Sequence, residues 1–393
     1  MKKYANDGKI SVKPFKITIS QEVLDDLKER LKRTRWPDEV ETTGWDYGTN
    51  LGYMKELAEY WQHKYDWRKQ EAELNKFALF TAKIKGTEFH FIHERGRGPN
   101  PTPIILFHGW PDSIYRYLKL IPMLTDPAKY GGDPNDSFDV VVPSLIGFSS
   151  TKTPSDHLQK DNSEICWRLM TEQLDYKHFA AGGGDIGSVL CQLLGVDHPD
   201  SIIGLHLTDI GYHVTRANHS DLSEVEKEYL RALQMWSLQE GAYAMLQGTK
   251  PQTLAYGLND SPVGYAAWII EKFRTWSDCN GEVESRFTKD ELLNNIMQYW
   301  LSGPSVRAVS YREEWVSPSL KPDQQVDVPV AVALPPKDLG PFPPREFAER
   351  NLRNIQRWTE LSRGGHFVAM EFPELMVQDI RVFFHDLETK KPV

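Results

Sequence analysis

The sequence predicts an α/β fold in which a mostly parallel sheet is flanked by helices and interrupted by a helical insertion. From about residue 101 onward, short and nearly continuous apolar runs alternate with helical patterns. The strand pattern disappears between about 210 and 303, where helical patterns dominate, and it returns at 328–334. Such apolar runs are typical of strands buried on both faces of a parallel sheet, and the alternation favours βαβ units.

The N-terminal residues lack this alternation and show two helical patterns followed by two strand-like segments. In order, these are a helix from Ser20 to about Trp36, a helix over 51–61, and strands over 80–84 and 88–93. Ser20 is a residue type that favours the first position before a helix, and Trp36-Pro37 is typical of a helix end. We therefore expect residues 1–95 to form an N-terminal extension that packs on the core and on the insertion.

The rest of the chain divides into a core in two parts and an inserted cap. The predicted strands are 103–107, 138–142, 179–181, 202–207, 328–334 and 358–361, with helices at 113–124, 163–174 and 188–195 between the earlier ones. The predicted cap helices are 223–239, 266–276 and 288–300, the last opened by a capping box, Thr288-x-x-Glu291. The expected boundaries are 96–210 for the first core part, 211–305 for the cap and 306–393 for the second core part.

Charge and composition exclude several classes of function. The net charge of −9 argues against nucleic acid or an anionic membrane as the main partner. The three cysteines are widely spaced and match no metal or redox motif, which favours a reducing compartment. No apolar stretch follows the charged N-terminus, and no window is long enough for a membrane helix. We expect a cytoplasmic protein without a membrane anchor, metal or cofactor.

Asp185 lies in a glycine-rich run, Gly182 to Ser188, where a predicted strand meets a helix. A sharp turn of this kind presents one side chain at the edge of the sheet, and glycine neighbours permit the strained backbone that it requires. The turn places a carboxylate where many hydrolases have a serine, so Asp185 is the candidate nucleophile. An Asp at this position that merely caps the following helix is an equally good interpretation of the turn alone.

The same run also matches a dinucleotide-binding fingerprint, Gly182-x-Gly184-x-x-Gly187, with Asp209 in the slot for a ribose-binding acid. This alternative predicts an NAD-binding oxidoreductase. Two sheet strands already precede the run, whereas the fingerprint usually opens the first βαβ unit. A carboxylate would also repel the pyrophosphate.

The segment His108-Gly109-Trp110-Pro111 directly follows the first core strand. A Gly and a Pro after a strand force a turned backbone that can direct amide N–H groups into the space above the sheet. We expect the N–H groups of Trp110 and Ile186 to form an oxyanion hole. A dinucleotide-binding fold does not require a turn of this kind.

The candidate base and its orienting acid lie near the C-terminus. Gly364-Gly365 precede His366 after the last predicted strand, and this pair predicts a loop free to swing the imidazole over the nucleophile. Asp338 shortly follows the strand at 328–334 and is the candidate acid; Glu346, its competitor, lies in a helical pattern and is expected to face solvent. Nucleophile, acid and His occur in the order typical of α/β-hydrolases.

Taken together, these motifs resemble the epoxide hydrolases of the microsomal or juvenile-hormone type, including their soluble bacterial and fungal members. The resemblance covers nearly the whole chain. Its further motifs are Phe15-Lys16-Ile17 through Trp36-Pro37, Asp260-Ser261-Pro262-Val263-Gly264, Trp268 and Glu271-Lys272-Phe273. It implies an α/β-hydrolase fold with a cap, and a small lipophilic epoxide and water as reactants.

The resemblance also implies roles for particular residues. Tyr243 and Tyr311 match the family's two proton donors, and Trp110, Ile186 and Phe367 would contact substrate. Three features depart from the family pattern, one of which is Ile146-Gly147-Phe148-Ser149 in place of the usual G-x-G-x-S. Asp112 replaces a small residue after the oxyanion proline, and Ile186 replaces the tryptophan that many members have after the nucleophile.

The resulting hypothesis is an epoxide hydrolase that opens its substrate to a vicinal diol, with detoxification as one expected role. Asp185 would form an ester, and water activated by His366 and Asp338 would hydrolyse it. The alternative is a haloalkane dehalogenase, which uses the same nucleophile but normally has a halide-binding Trp where this chain has Ile186. The sequence leaves the natural substrate and the oligomeric state open, with a homodimer as one candidate.

Overall fold

A computed structural model of the chain describes residues 12–146, 158–210, 221–302, 309–321 and 323–389. Residues 1–8, where the sequence predicts no secretory signal, lie outside these ranges. No helix among the described residues is long and apolar enough to cross a lipid bilayer.

Within these residues the strands form one nine-stranded sheet in the order β1-β2-β3-β5-β4-β6-β7-β8-β9. Their bounds are β1 Lys13–Pro14, β2 Leu79–Ile84, β3 Thr87–Glu94, β4 Thr102–Phe107, β5 Phe138–Pro143, β6 Phe179–Gly183, β7 Ile202–Leu207, β8 Val330–Leu334 and β9 Ile355–Glu360. Strands β4 to β9 pair in parallel, whereas β1, β2 and β3 form an antiparallel edge that joins the sheet at β5. The predicted α/β fold class with a mostly parallel sheet is confirmed.

Helices cover the sheet and form the insertion between β7 and β8. Their bounds are α1 Gln21–Lys32, α2 Leu51–His63, α3 Trp67–Leu74, α4 Leu120–Thr125, α5 Leu158–Arg168, α6 Ile186–Asp197, α7 Glu224–Glu240, α8 Ala242–Thr249, α9 Pro251–Asp260, α10 Pro262–Thr275, α11 Lys289–Ser302, α12 Val309–Val316, α13 Arg345–Ala348, α14 Val368–Glu371 and α15 Pro373–Thr389. The insertion, called the cap below, comprises α7 to α12.

The helix predicted over 113–124 differs most from the structure. A short 3₁₀ turn at Ile114–Arg116 is followed by a separate helix, α4, that begins only at Leu120. Pro122 explains the break, because proline has no N–H to donate and is tolerated only in the first turn of a helix. The predicted capping box before α11 is present, with Thr288 and Glu291 each accepting the other's backbone N–H.

The N-terminal extension contacts both the sheet and the cap. Its strands form the antiparallel edge, and two of its tyrosines reach cap helix α11. The Tyr60 hydroxyl donates to Asp290 at 2.9 Å, and the Tyr65 hydroxyl donates to Asn294 at 2.7 Å. The division of the chain at residues 95, 210 and 305 stays a prediction.

A buried charged cluster fastens α15 to the sheet. Asp379 of α15 is 3% exposed; one of its oxygens lies 2.8 Å from Nε2 of His206 in β7. Its other oxygen accepts from Arg357 at 2.7 Å and from Thr359 at 2.9 Å, both in β9. Burial alone would raise the pKa of Asp379, but these partners hold it well below its ordinary value. The carboxylate therefore stabilises the fold above the ordinary carboxyl range, and this contribution is lost as the pH falls.

We expect Asp379→Asn to lower the free energy of unfolding by about 3 kcal/mol or more at neutral pH, because it leaves buried partners without their counter-charge. Asp136→Asn is the matched control, since Asp136 pairs with His385 of the same helix, whose side chain is 52% exposed. That variant should lose no more than about 1 kcal/mol. Guanidinium unfolding of the three proteins measures the difference; equal losses in both variants would contradict the assignment.

Candidate active site

Asp185 occupies a sharp turn between β6 and α6. Its backbone has φ 56° and ψ −130°, a conformation that costs a residue other than glycine about 1–3 kcal/mol. The turn can form because Gly187 has no side chain, as a Cβ at that position would overlap the carbonyl oxygen of Phe107 at the end of β4. The glycine-rich run thus allows the backbone of the turn to lie close to the end of β4, while the strained Asp185 faces inward.

The Asp185 carboxylate faces the turn after β4. It is 1% exposed, and its Oδ1 accepts the backbone N–H of Trp110 at 2.8 Å. It makes no capping hydrogen bond in α6, so the interpretation as a simple helix cap is not supported. Burial raises the pKa of Asp185 above its ordinary value, against the opposing effects of His366 and of the N–H groups of Trp110 and Ile186. The two predicted oxyanion donors therefore both point toward this carboxylate.

The oxyanion turn, His108 to Ser113, is fixed by buried polar contacts. The backbone N–H of Gly109 donates to Asp112 at 2.8 Å, and the other Asp112 oxygen accepts from Arg116. Both side chains of this ion pair are almost fully buried. His108 is also buried, and its Nε2 accepts the N–H of Leu145 at 3.2 Å. Asp112, which the sequence marks only as a departure, thus helps to hold the turn in shape.

The cap helix α11 holds the same turn from the other side. Asn295 is fully buried; its amide donates to the carbonyl oxygen of Pro111 at 2.7 Å and accepts from the Ser113 hydroxyl at 2.8 Å. The Tyr299 hydroxyl donates to the carbonyl oxygen of Asp112. The position of the Trp110 N–H therefore depends on the cap as well as on the core.

His366 lies between Asp185 and Asp338. Its Nδ1 is 2.7 Å from an Asp338 oxygen, and its Nε2 is 3.6 Å from Oδ2 of Asp185. Burial alone would lower the pKa of His366, but the charge and hydrogen bond of Asp338 raise it above its ordinary value. The competing acid Glu346 is exposed and accepts from the Ser223 hydroxyl. The structure thus brings together the three residues predicted as nucleophile, base and acid.

The loop that carries His366 is not free to swing, so that expectation is wrong. The N–H of His366 donates to the carbonyl oxygen of Trp276 at 2.7 Å, and the N–H of Gly364 donates to the Asp278 carboxylate at 3.2 Å. Glu371 accepts from the N–H groups of both Gly365 and Asp278. Burial raises the pKa of Glu371 to about 7. The cap residues 276–278 therefore fix the loop in place.

The two predicted tyrosines lie on the cap above the oxyanion turn. The Trp110 ring stacks on Tyr243 with centroids 5.1 Å apart, and it meets Tyr311 edge-on at 5.9 Å. Tyr243 and Tyr311 are 6.1 Å apart, centroid to centroid. Burial, Tyr243 and Asp185 raise the pKa of the Tyr311 phenol well above its ordinary value. A phenol that stays protonated at neutral pH can donate a hydrogen bond to an oxygen above Asp185.

A cavity of about 440 Å³ reaches the site at Tyr243 and Asp338. It lies between cap helix α7, the start of α8 and the loop 338–343. Its apolar lining includes Leu233, Trp236, Leu238, Met245, Leu339 and Phe342. Phe367, predicted to contact substrate, lies elsewhere: it is fully buried and stacks on Phe273 with centroids 4.0 Å apart. Its position supports a packing role beneath His366.

Several residues that hold the site together are not predicted as site residues by the sequence. Asp112 and Arg116 are four residues apart, a spacing that could have suggested an ion pair. Asn295, Tyr299 and Glu371 reach the site from distant parts of the chain, and local pattern does not predict such contacts.

The sequence and the fold of this chain are similar to those of known proteins. A family model described as epoxide hydrolase N terminus matches residues 12–117, and one described as alpha/beta hydrolase fold matches 102–264. A protein of Stigmatella aurantiaca, provisionally named an epoxide hydrolase, is 39% identical, covering 96% of this chain and 86% of its own. Epoxide hydrolase 1 of Sus scrofa is 33% identical, covering 96% and 89%. The solved structure of Aspergillus niger epoxide hydrolase has a TM-score of 0.81, 30% identity and coverage of 96% and 97%.

Proposed function

The chain belongs to the epoxide hydrolase family, and on this premise we propose that it opens an epoxide to a vicinal diol through an ester on Asp185. The observation that carries the proposal is the placement of one buried carboxylate between two backbone N–H donors and a His–Asp pair. The haloalkane dehalogenase and NAD-binding alternatives are not favoured by these relatives.

In the first step the Asp185 carboxylate attacks a ring carbon of the epoxide. A carbon–oxygen bond of the strained ring breaks as the ester bond forms. The developing alkoxide needs a proton, and the phenols of Tyr243 and Tyr311 lie on the cap where an oxygen above Asp185 would meet them. Two hydrogen-bond donors in a buried site stabilise such a charge better than water does.

In the second step water attacks the carbonyl carbon of the ester. His366 takes the proton of this water at Nε2, an atom for which no hydrogen-bond partner is found among the described residues. Asp338 orients the imidazole and stabilises its charged form. The N–H groups of Trp110 and Ile186 hold the oxyanion of the tetrahedral intermediate. A serine ether could not be hydrolysed in this way, which is the chemical reason for an Asp nucleophile.

The same geometry gives a reason against dehalogenase chemistry. A departing halide needs an N–H donor beside the nucleophile, and the side chain of Ile186 offers none. The tyrosine pair supplies a proton, which an alkoxide requires and a halide does not. We propose a lipophilic epoxide as substrate, with its apolar part in the 440 Å³ cavity. A cytoplasmic location and a homodimer stay predictions of the sequence; sedimentation equilibrium tests the latter.

Replacing either tyrosine by Phe should slow ring opening by about 10- to 100-fold, and replacing both should slow it by about 10³-fold or more, because no phenol then protonates the alkoxide. Rapid-quench measurement of styrene oxide consumed in a single turnover tests this expectation. The control is Tyr256→Phe, since Tyr256 is 75% exposed on α9. A double variant with the wild-type rate would contradict the role of the pair.

Asp338→Asn should move the acid limb of the pH profile of the ester-hydrolysis rate to lower pH. Water activation needs the neutral imidazole, so this rate falls as the pH drops through the pKa of His366. Asp338 raises that pKa, and its removal should lower it. Single-turnover rates of ester hydrolysis, measured from about pH 5 to about pH 9 across the ordinary titration range of histidine, locate this limb. An acid limb at the same pH as in the wild type would contradict the pairing of His366 with Asp338.

A further inference from the structure

Lys272 belongs to a sequence motif, Glu271-Lys272-Phe273, that the proposed function leaves unused. It lies near the end of cap helix α10, and its side chain is only 9% exposed. A lysine is rarely buried to this degree unless its charge is paired or used. Glu271 supplies one partner, at 2.6 Å from Nζ, and Glu240 of α7 lies 3.8 Å away.

The Lys272 ammonium also lies in a corner between two aromatic rings. Its Nζ is 5.0 Å from the centroid of Tyr243 and 5.3 Å from that of Trp276. Both distances are within the range of a cation–π contact, and the low exposure of the site reduces competition from water. Trp110 and Tyr311 also contact the Tyr243 ring.

We propose that Lys272 is a positioning residue that stabilises the negative charge developing on Tyr243, so that Tyr243 transfers the proton in ring opening. This inference rests on the proposed function. As the ring C–O bond breaks, the Tyr243 O–H bond breaks and a new O–H bond forms on the epoxide oxygen, which leaves a phenolate. A cation beside the ring attracts a phenolate more strongly than a phenol, because the ring then carries net charge.

The surroundings of the two tyrosines support different roles. Tyr311 faces Tyr243 and the carboxylate of Asp185, both of which disfavour an anion on its oxygen. The Tyr243 ring lies next to the Lys272 cation of α10 and to Tyr311 of α12. Asp338, in the loop after β8, lines the same cavity as Tyr243. Tyr311 is therefore suited to donate a hydrogen bond, and Tyr243 to give up its proton. Glu271, whose side chain is 23% exposed, partly offsets the lysine charge.

The test measures ester formation alone, in a His366→Gln background where the ester cannot be hydrolysed. Adding Lys272→Met should slow ester formation on styrene oxide by about tenfold, whereas Lys272→Arg should keep it within about threefold. Glu271→Gln, which leaves the cation without its nearest counter-charge, should be at least as fast as the parent. Lys289→Met is the matched control, since Lys289 is a paired, 15%-exposed cap lysine of α11, and it should leave the rate unchanged.

The choice of epoxide distinguishes stabilisation of charge by Lys272 from a merely structural role of this residue. A trifluoromethyl-substituted epoxide yields a less basic alkoxide, so the loss in Lys272→Met should shrink with it. A structural defect would slow both epoxides alike, and that result, or a Lys272→Met rate equal to the parent's, would overturn the inference. If Lys272→Met does not fold, a Glu271→Gln rate below the parent's overturns it instead. Absence of any ester in the His366→Gln parent would contradict the proposed function, not the role of Lys272.

Discussion

Asp185→Asn is expected to lower kcat for epoxide hydrolysis by about 10⁴-fold or more, because the variant lacks the carboxylate that forms the ester. An amide is a poor nucleophile, and the Asn side chain keeps nearly the same shape. Asn also tolerates the positive φ of the turn better than most residues do. The rate of diol formation measures the loss, on protein shown by peptide mass analysis not to have reverted to aspartate at position 185 by deamidation.

The same variant should be at least as stable as the wild type. Burial disfavours the charged carboxylate, so a neutral side chain removes a destabilising group from the core. An unchanged or higher melting temperature would show that the lost activity is chemical. A variant that retained more than about one hundredth of wild-type activity would contradict the assignment of the nucleophile.

His366→Gln is expected to stop the reaction at the ester. Ring opening does not need the imidazole, whereas water activation does, so kcat should fall by about 10²- to 10⁴-fold. Intact-mass spectrometry should show a protein heavier by one epoxide, with the added mass on the peptide that contains Asp185. No such adduct should form in the double variant with Asp185→Asn.

His385→Gln is the matched control for this experiment, since His385 is half exposed and pairs with Asp136, and neither residue belongs to the proposed catalytic set. It should turn over at the wild-type rate without accumulating ester. If His366→Gln slowed the reaction without an adduct, ring opening rather than ester hydrolysis would depend on the imidazole, and the order of steps would be wrong.

The sequence predicts well those features that short segments of chain determine. The core strands, the capped helix α11 and the turn at Asp185 each depend on neighbours within a few residues. The pairing of His366 with Asp338 follows from their positions after two adjacent parallel strands, β8 and β9, whose carboxyl ends meet at one edge of the sheet. The helices α8 and α9 were missed because glycines and a proline interrupt their patterns.

Contacts between distant segments are what the sequence could not predict. Asn295 lies 184 positions from Pro111, whose carbonyl oxygen it binds, and no periodicity links the two. The paired glycines before His366 suggested a mobile loop, since glycine allows many conformations in an isolated chain. In the folded protein, cap residues 276–278 and Glu371 bind that loop and remove this freedom.

The most direct test of the covalent mechanism is a single turnover in ¹⁸O water with enzyme in excess over epoxide. We expect a diol without label and one ¹⁸O atom in the Asp185 carboxylate, because the oxygen added to the substrate comes from Asp185 and water replaces it there. Label in the diol with none in Asp185 would mean that water attacks the epoxide directly, and would contradict the covalent mechanism.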